Sequence, residues 1–469
     1  MMGRLSRVLE ALRRLLCSLW LSPPSLVLLL VLGPIVLPHV LIHLFMRCWR
    51  GAPRRPPRNT EPLLERPATE LANMIKSGKL TSRHLTELCL DRLRAVNPAL
   101  NAVTAFREVD ALAEAEAADA AVRAGRVPSD VYGALWGVPC VVKECFEITG
   151  LPFTAGIASL AGQYGKTTCP AVARLQAAGV VVIASTNVSE GCMFHESANP
   201  IYGRTNNPHD CDRTVGGSSG GAAAAVAACA APLALTSDVG GSTRIPALFN
   251  GLYGHKPTGG TVPNTRTLPR IDGDSIVGRY CQLGPTTRHA VDLMPLLRVV
   301  AGRDGADQMV REDVATALQA PEGVDVTRLR VFTLAEAFLP RLLRCGLHPE
   351  QRAAQAAVVE CLRRRGCEVV PLTRADLPET AFAFSIWGAM LGAAATPFIQ
   401  ILSEGRSPPL TIPRALGEAV LCLARAGCTS RHTLPAVGLA LVEKVDALFA
   451  EQVAQRPALS PATIAVDVP

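Results

Sequence analysis

Two serines and a lysine stand out by type and spacing. Ser218 lies in Gly216-Gly217-Ser218-Ser219-Gly220-Gly221. Ser242 follows 24 residues later, in Asp238-Val239-Gly240-Gly241-Ser242-Thr243-Arg244, and Lys143 precedes Ser218 by 75 residues. A Gly/Ser run can be a flexible linker. This one leads into the alanine-rich stretch Ala222–Ala231 and then into an apolar run ending in Gly-Gly-Ser, which a linker would not do. Glycines before a serine let backbone N–H groups converge on one point, as an oxyanion hole requires. Removing one donor from such a hole costs roughly a hundred- to a thousandfold in rate. A serine at that point can attack a carbonyl once a base takes its proton.

Two bases compete. Gly216-Gly217-Ser218-Ser219-Gly220 fits GxSxG, the nucleophile elbow of α/β-hydrolases, with Ser218 as nucleophile. That elbow follows a strand and needs a later Asp and His. Here Asn206–Asp212 reads as a loop, and the later histidines, such as His255 and His289, are scattered. Alternatively, Lys143 ends the apolar run Gly137-Val138-Pro139-Cys140-Val141-Val142. Burial disfavours an ammonium, so a lysine at the end of a buried strand can act as a base.

The elements that must carry these groups read as an alternation. Gly137–Lys143 and Val180–Ala184 read as buried strands of the parallel type. Ala171–Ala178 and Ala222–Ala231 read as helices, and Ala111–Ala124 as a solvent-facing helix. Glu70–Val96 has helical spacing with a break at Ser77-Gly78, and Thr81 is placed to cap its second half. Leu329–Phe332 and Glu368–Leu372 flank a helix around Gln351–Arg364 as a βαβ unit. Such alternation predicts an α/β class with a mostly parallel sheet. Thr380–Leu402 carries no charge and reads as a buried helix lining a pocket rather than a membrane span.

At this point the chain resembles the amidase signature family. The resemblance is carried by Gly137-Val138-Pro139 with Lys143-Glu144, by Thr186-Asn187-Val188-Ser189-Glu190, and by Asn207-Pro208. Gly216–Gly221, Ser237–Pro246 and Gly254-His255-Lys256-Pro257 complete it. It runs from about residue 65 to about 440. It implies an amidase-signature α/β fold: a mixed, mostly parallel twisted sheet covered by helices on both faces. It also implies roles. Ser242 is the nucleophile, Ser218 the bridging serine in a cis peptide after Gly217, and Lys143 the base. The N–H groups of Val239, Gly240, Gly241 and Ser242 form the oxyanion hole. Cys192 and Met193 line an acyl pocket, while Ser219, Asp238 and Arg244 support the site. No metal and no cofactor are implied. One departure is Glu144, where family members usually carry Asp after the lysine. Within the family, Tyr202–Pro208, Phe249-Asn250-Gly251 and the N-terminal segment resemble membrane-bound members that hydrolyse fatty acid amides, including N-acylethanolamines and oleamide.

Charge and hydropathy agree with a membrane location. Residues 1–66 hold ten Arg and three Glu, and so carry all of the net +7; the rest has 37 basic and 37 acidic residues. The body has no nucleic-acid footprint. Ser25–Met46 is 22 residues long, free of Asp, Glu, Lys and Arg, and followed by Arg47-Cys48-Trp49-Arg50. That length suits a bilayer span with an interfacial anchor. Pro34 and Pro38 make a bent, monotopic hairpin the alternative, as at a lipid droplet. The expected organisation is a membrane anchor and Pro/Arg-rich linker over 1–60, then an amidase domain over 61–469. The expected location is the endoplasmic reticulum or lipid droplets, with Ile412–Ala426 in a membrane-facing cap and a homo-oligomer allowed. Fifteen scattered cysteines with no CxxC pair read as free thiols in a reducing compartment. After about Lys444 the match fades, so the domain is read as shortened at its C-terminus. The second expectation is therefore an inactive, membrane-anchored relative that acts through binding.

Overall fold

Apolar runs too short for helices make the centre of this fold. In a computed structural model, residues 53–270, 278, 280–318, 323–334, 348–373 and 375–377 are described. They fall into two bodies, one holding residues 53–318 and the other 323–377. The first contains a six-stranded sheet. Its strands are β1 (Val103–Phe106), β2 (Pro139–Lys143), β3 (Val181–Thr186), β4 (Leu233–Asp238), β5 (Tyr253–Gly254) and β6 (Gln282–Thr287), in the order β1-β3-β2-β4-β6-β5. Every residue of β2, β3, β4 and β6 is buried. This accounts for the apolar runs in β2, β3 and β4, without the alternation of a half-exposed strand, whereas β6, Gln-Leu-Gly-Pro-Thr-Thr, is buried despite a largely polar sequence.

The sheet is mixed, but not mostly parallel. The central trio β3-β2-β4 is parallel, while β1 pairs antiparallel with β3, and β6 pairs antiparallel with both β4 and β5. β6 carries no apolar run and was not expected as a strand at all. The direction of β6 was therefore invisible in its sequence.

Two groups of helices pack on the sheet. One comprises α1 (Ala68–Lys76), α2 (Ser82–Leu100), α3 (Glu108–Arg123) and α5 (Gly220–Ala227). The other comprises α4 (Pro170–Ala177) and α7 (Leu293–Val300). Thr81 caps α2 as expected, its hydroxyl accepting from His84 N–H at 3.1 Å. A second cap comes from α3: Asp119 accepts from the N–H groups of Ser82 and Arg83 at 2.7 and 3.0 Å. These bonds satisfy first-turn donors and place a negative charge at the positive helix end. α3 is not simply solvent-facing, because Ala111, Ala115, Ala118 and Asp119 are buried along one stripe.

In the second body, β7 (Arg330–Leu334) and β8 (Glu368–Leu372) pair in parallel. They flank α8 (Pro349–Arg364), as the βαβ reading predicts. The described cysteines are all free, and all but Cys361 are buried. Among the described residues no helix is long and apolar enough to cross a membrane. The segments Ser25–Met46, Thr380–Leu402 and Ile412–Ala426, and the chain beyond Lys444, lie outside those residues.

Candidate active site

Three adjacent parallel strands deliver their C-terminal ends to one edge of the sheet. β2 ends on Lys143, β3 runs into Asn187–Ser189, and β4 ends on Ser237-Asp238 just before Ser242. Open α/β sheets place their ligands at this edge.

Lys143 is wholly buried. Its Nζ lies 2.7 Å from Ser218 Oγ, 2.9 Å from Ser237 Oγ and 3.4 Å from the Ser237 carbonyl. Among the described residues it has no ion-pair partner. Ser218 is also wholly buried, and the Gly217–Ser218 peptide is cis, as the resemblance implied. Ser242 is 6% exposed. Its carbonyl accepts from Ser219 N–H at 3.2 Å, which ties the Ser242 segment to the serine loop. No Ser218–Ser242 hydroxyl bond is formed among the described residues. Catalytic hydrogen bonds in unliganded enzymes are often long and tighten on the substrate.

The glycines of the loop are dictated by contact. A Cβ at Gly217 would lie 2.5 Å from the Phe194 carbonyl oxygen. At Gly220 it would lie 2.4 Å from Ser197 Oγ, and at Gly221 2.4 Å from Asn187 N and 2.5 Å from the Ala102 oxygen. Backbone at Gly217 and Gly221 and the Ser197 and Val215 side chains at Gly220 leave no room for a Cβ, which is why α5 begins Gly-Gly.

Ser197 is the brace that sequence reading missed. Its hydroxyl donates toward the carbonyls of Gly216 and Ser218 at 3.0 and 3.2 Å and accepts from Gly220 N–H at 2.8 Å. Ser189 N–H also reaches the Ser218 carbonyl, at 3.4 Å. Ser237 was missed as well. Its only signal is a polar Thr-Ser-Asp end on an apolar strand that pairs beside β2. Ser197 has no comparable signal, since it comes from a loop remote in sequence.

Asp238 organises the turn before Ser242. It accepts from the N–H groups of Gly241, Thr243 and Arg244 at 2.7, 3.1 and 3.2 Å. The Arg244 guanidinium adds Nε and Nη2 contacts at 3.0 and 2.9 Å. Burial pushes the Asp238 pKa up, but Arg244 and the Gly241 and Thr243 N–H groups outweigh it, and the net shift is below the usual carboxylate value. Asp238 and Arg244 are thus bonded to each other and to the turn before Ser242. Ser219 contributes its N–H and a 3.4 Å contact from Oγ to the Ser237 carbonyl.

One expected oxyanion donor is already engaged. Gly241 N–H is held by Asp238, so it serves the turn rather than an incoming oxygen. The N–H groups of Val239, Gly240 and Ser242 have no acceptor among the described residues, and these three form the available set.

Cys192 and Met193 sit on a loop that begins at Ser189. Gly191 N–H donates to the Ala155 carbonyl at 2.9 Å, and Cys192 N–H to the Ser189 carbonyl at 2.9 Å. Cys192 is buried against Cys145; its bond to that thiol and its burial push its pKa well up and hold it as a thiol. Met193 is half-buried. Cys145 in turn lies 3.6 Å from Ser237 Oγ. Asp210–Thr214, expected as part of a loop, pairs as a short strand with Asn206–Asn207. A strand therefore does precede Gly216, yet the side chain beside Ser218 is Lys143. His289 Nε2 is engaged elsewhere, 2.7 Å from the Glu65 carbonyl. Among the described residues no group of His, Cys, Asp and Glu could hold a metal.

The amidase family profile matches residues 84–418. Fatty-acid amide hydrolase 2-B of Danio rerio is 33% identical over 408 residues, covering 83% of this chain and 72% of that protein. Fatty-acid amide hydrolase 2 of Homo sapiens is 39% identical over 254 residues, 54% of this chain and 47% of that one. Among solved structures, native peptide amidase from Stenotrophomonas maltophilia superposes with a TM-score of 0.60 at 27% identity, covering 86% of this chain and 78% of its own. The substrate complex of 6-aminohexanoate cyclic dimer hydrolase gives 0.62 at 25% identity, with coverage of 84% and 77%. The chain is an amide hydrolase of the amidase signature family.

Proposed function

We propose that this protein hydrolyses fatty acid amides, such as N-acylethanolamines and oleamide, to fatty acid and amine at a membrane or lipid-droplet surface. The observation that carries the chemistry is the buried contact of 2.7 Å between Lys143 Nζ and Ser218 Oγ, on a loop bonded to Ser242. In its amine form Lys143 takes the proton of Ser218, and Ser218 takes that of Ser242. Ser242 Oγ then attacks the amide carbonyl while the N–H groups of Val239, Gly240 and Ser242 receive the oxyanion. The relay runs backward to protonate the leaving amine as the C–N bond breaks. Water hydrolyses the acyl-enzyme by the same path. The substrate class is supported by similarity to fatty-acid amide hydrolase 2 and by Ser25–Met46, whose length suits an anchor beside lipid substrates.

A fluorophosphonate probe applied to membranes expressing the chain tests this reading. Labelling is expected at Ser242, lost by a factor of about 10² or more in Lys143→Ala. Release of fatty acid from oleamide should fall in parallel. Labelling at Ser218 would instead favour the elbow reading. No labelling, beside a reactive relative, would make this an inactive amidase-like protein.

A further inference from the structure

We propose that Glu144 is a positioning residue that works as a neutral carboxylic acid, holding the end of the Lys143 strand to the loop that carries Cys192 and Met193. The proposal rests on the hydrolase reading above. Glu144 is wholly buried. Its Oε1 accepts three hydrogen bonds, from Thr154 N–H at 2.8 Å, Thr154 Oγ1 at 2.7 Å and Tyr202 OH at 3.1 Å. Its Oε2 is buried with no hydrogen-bond partner. Among the described residues no cation pairs with it, and the neighbouring Lys143 amine is occupied by Ser218 and Ser237.

A carboxylate with one bare oxygen in such a place bears the full desolvation cost of a charge. A proton on Oε2 removes that charge and leaves all three bonds to Oε1 intact. Burial accordingly pushes the pKa up to about 8, although Thr154 and Tyr202 act in the opposite sense. The titratable groups facing Glu144 are Cys145 on its own segment, Cys192 on the opposite loop and the Tyr202 phenol. No cation among them would stabilise its ionised form.

The positioning role follows from what the acid holds. Thr154 leads into Ala155, whose carbonyl accepts Gly191 N–H. Ala155 and Cys192 both adopt left-handed backbone, with φ of 48° and 58°. Non-glycine residues persist there only where surrounding structure over-determines them. Glu144 supplies that constraint on the Ala155 side. The same Ser189–Met193 loop carries the N–H that reaches the Ser218 carbonyl. Ionisation of Glu144 would thus loosen the acyl-pocket loop and the peptide beside the relay together. An aspartate is one methylene shorter and would not reach the same donors from this strand position.

The test compares full-length wild type with Glu144→Gln, which keeps the Oε1 acceptor and cannot ionise. Infrared difference spectra at about pH 7 should show a protonated carboxyl C=O band in wild type that Glu144→Gln lacks. Titration to about pH 9 should remove it. Absence of the band at pH 7 overturns the proposal. Fluorophosphonate labelling at Ser242 should fall about tenfold in wild type relative to Glu144→Gln between about pH 7 and pH 9, one unit past the midpoint. Parallel profiles overturn the positioning role. If neither protein labels at any pH, the hydrolase reading fails and the positioning role with it, while the infrared band alone decides the protonation of Glu144.

Discussion

Replacing Ser197 by alanine should damage both the fold and the chemistry, by amounts that can be worked out separately. Ser197 is wholly buried and its hydroxyl makes three contacts. Gly220 N–H, in the first turn of α5, would lose its side-chain cap, a loss of about 1 kcal/mol. The Gly216 carbonyl would lose a donor inside the protein, costing roughly 1–3 kcal/mol. The Ser218 carbonyl would keep only the longer bond from Ser189. The expected destabilisation is therefore about 2–4 kcal/mol, read as a shift in the urea midpoint at unchanged slope. The serine peptide would also lose its lateral support. Probe labelling at Ser242 should slow about tenfold or more under conditions where the variant remains folded, since small misplacements at a reacting group are costly. A stability loss with the wild-type labelling rate would show that Ser197 braces the fold alone. Wild-type stability would refute the hydrogen-bond accounting itself.

Three further outcomes follow from the same geometry. Gly221→Ala should lower soluble yield and thermal midpoint far more than Gly323→Ala: Gly323 has open space around it and no left-handed backbone, whereas Gly221 faces backbone atoms at 2.4 and 2.5 Å. Asp238, with a folded pKa below its unfolded value, contributes stability that is present above about pH 4 and lost as pH falls through the folded value; acid titration of wild type and Asp238→Asn should diverge in that window. Glu144 has the opposite sign. Its folded pKa of about 8 lies above the ordinary 4.5, so the native state binds more protons between these values and loses stability as pH rises through them. The stability advantage of Glu144→Gln over wild type should grow by a few kcal/mol across that range and level off above about pH 8, as measured by denaturation at each pH.

What the sequence revealed depended on whether a feature was local. The strand ending at Lys143, the helix of small residues after Gly220 and the cap at Thr81 all follow from short-range pattern, and they stand at or within a few residues of where they were expected. The spacing of Lys143, Ser218 and Ser242 pointed to one site, and the Lys143–Ser218 contact joins two of its members. Ser197 was not legible, because a lone serine carries no periodic signal and its partners lie elsewhere in the chain, and Ser237, though inside a quoted segment, gave no sign of its contact with Lys143. Nor was the engagement of Gly241, which depends on which way the Asp238 side chain turns. β6 and its antiparallel pairing were hidden because Gln-Leu-Gly-Pro-Thr-Thr carries no apolar run. The buried stripe of α3 was hidden because alanine suits either side of a helix.

Every group assigned to the proton path and its braces lies between Lys143 and Arg244, one continuous stretch of the chain. The residues that hold these groups in register, from Thr154 to Ser197 and from Gly216 to Gly221, lie within it as well. The groups of the proposed reaction thus share one stretch, although the sheet and helices that support it are drawn from both sides of it. Cys192 and Met193, expected at the acyl pocket, lie inside the same stretch, so grafting experiments between relatives that respect its two boundaries would carry the proposed chemistry and part of the substrate contact together.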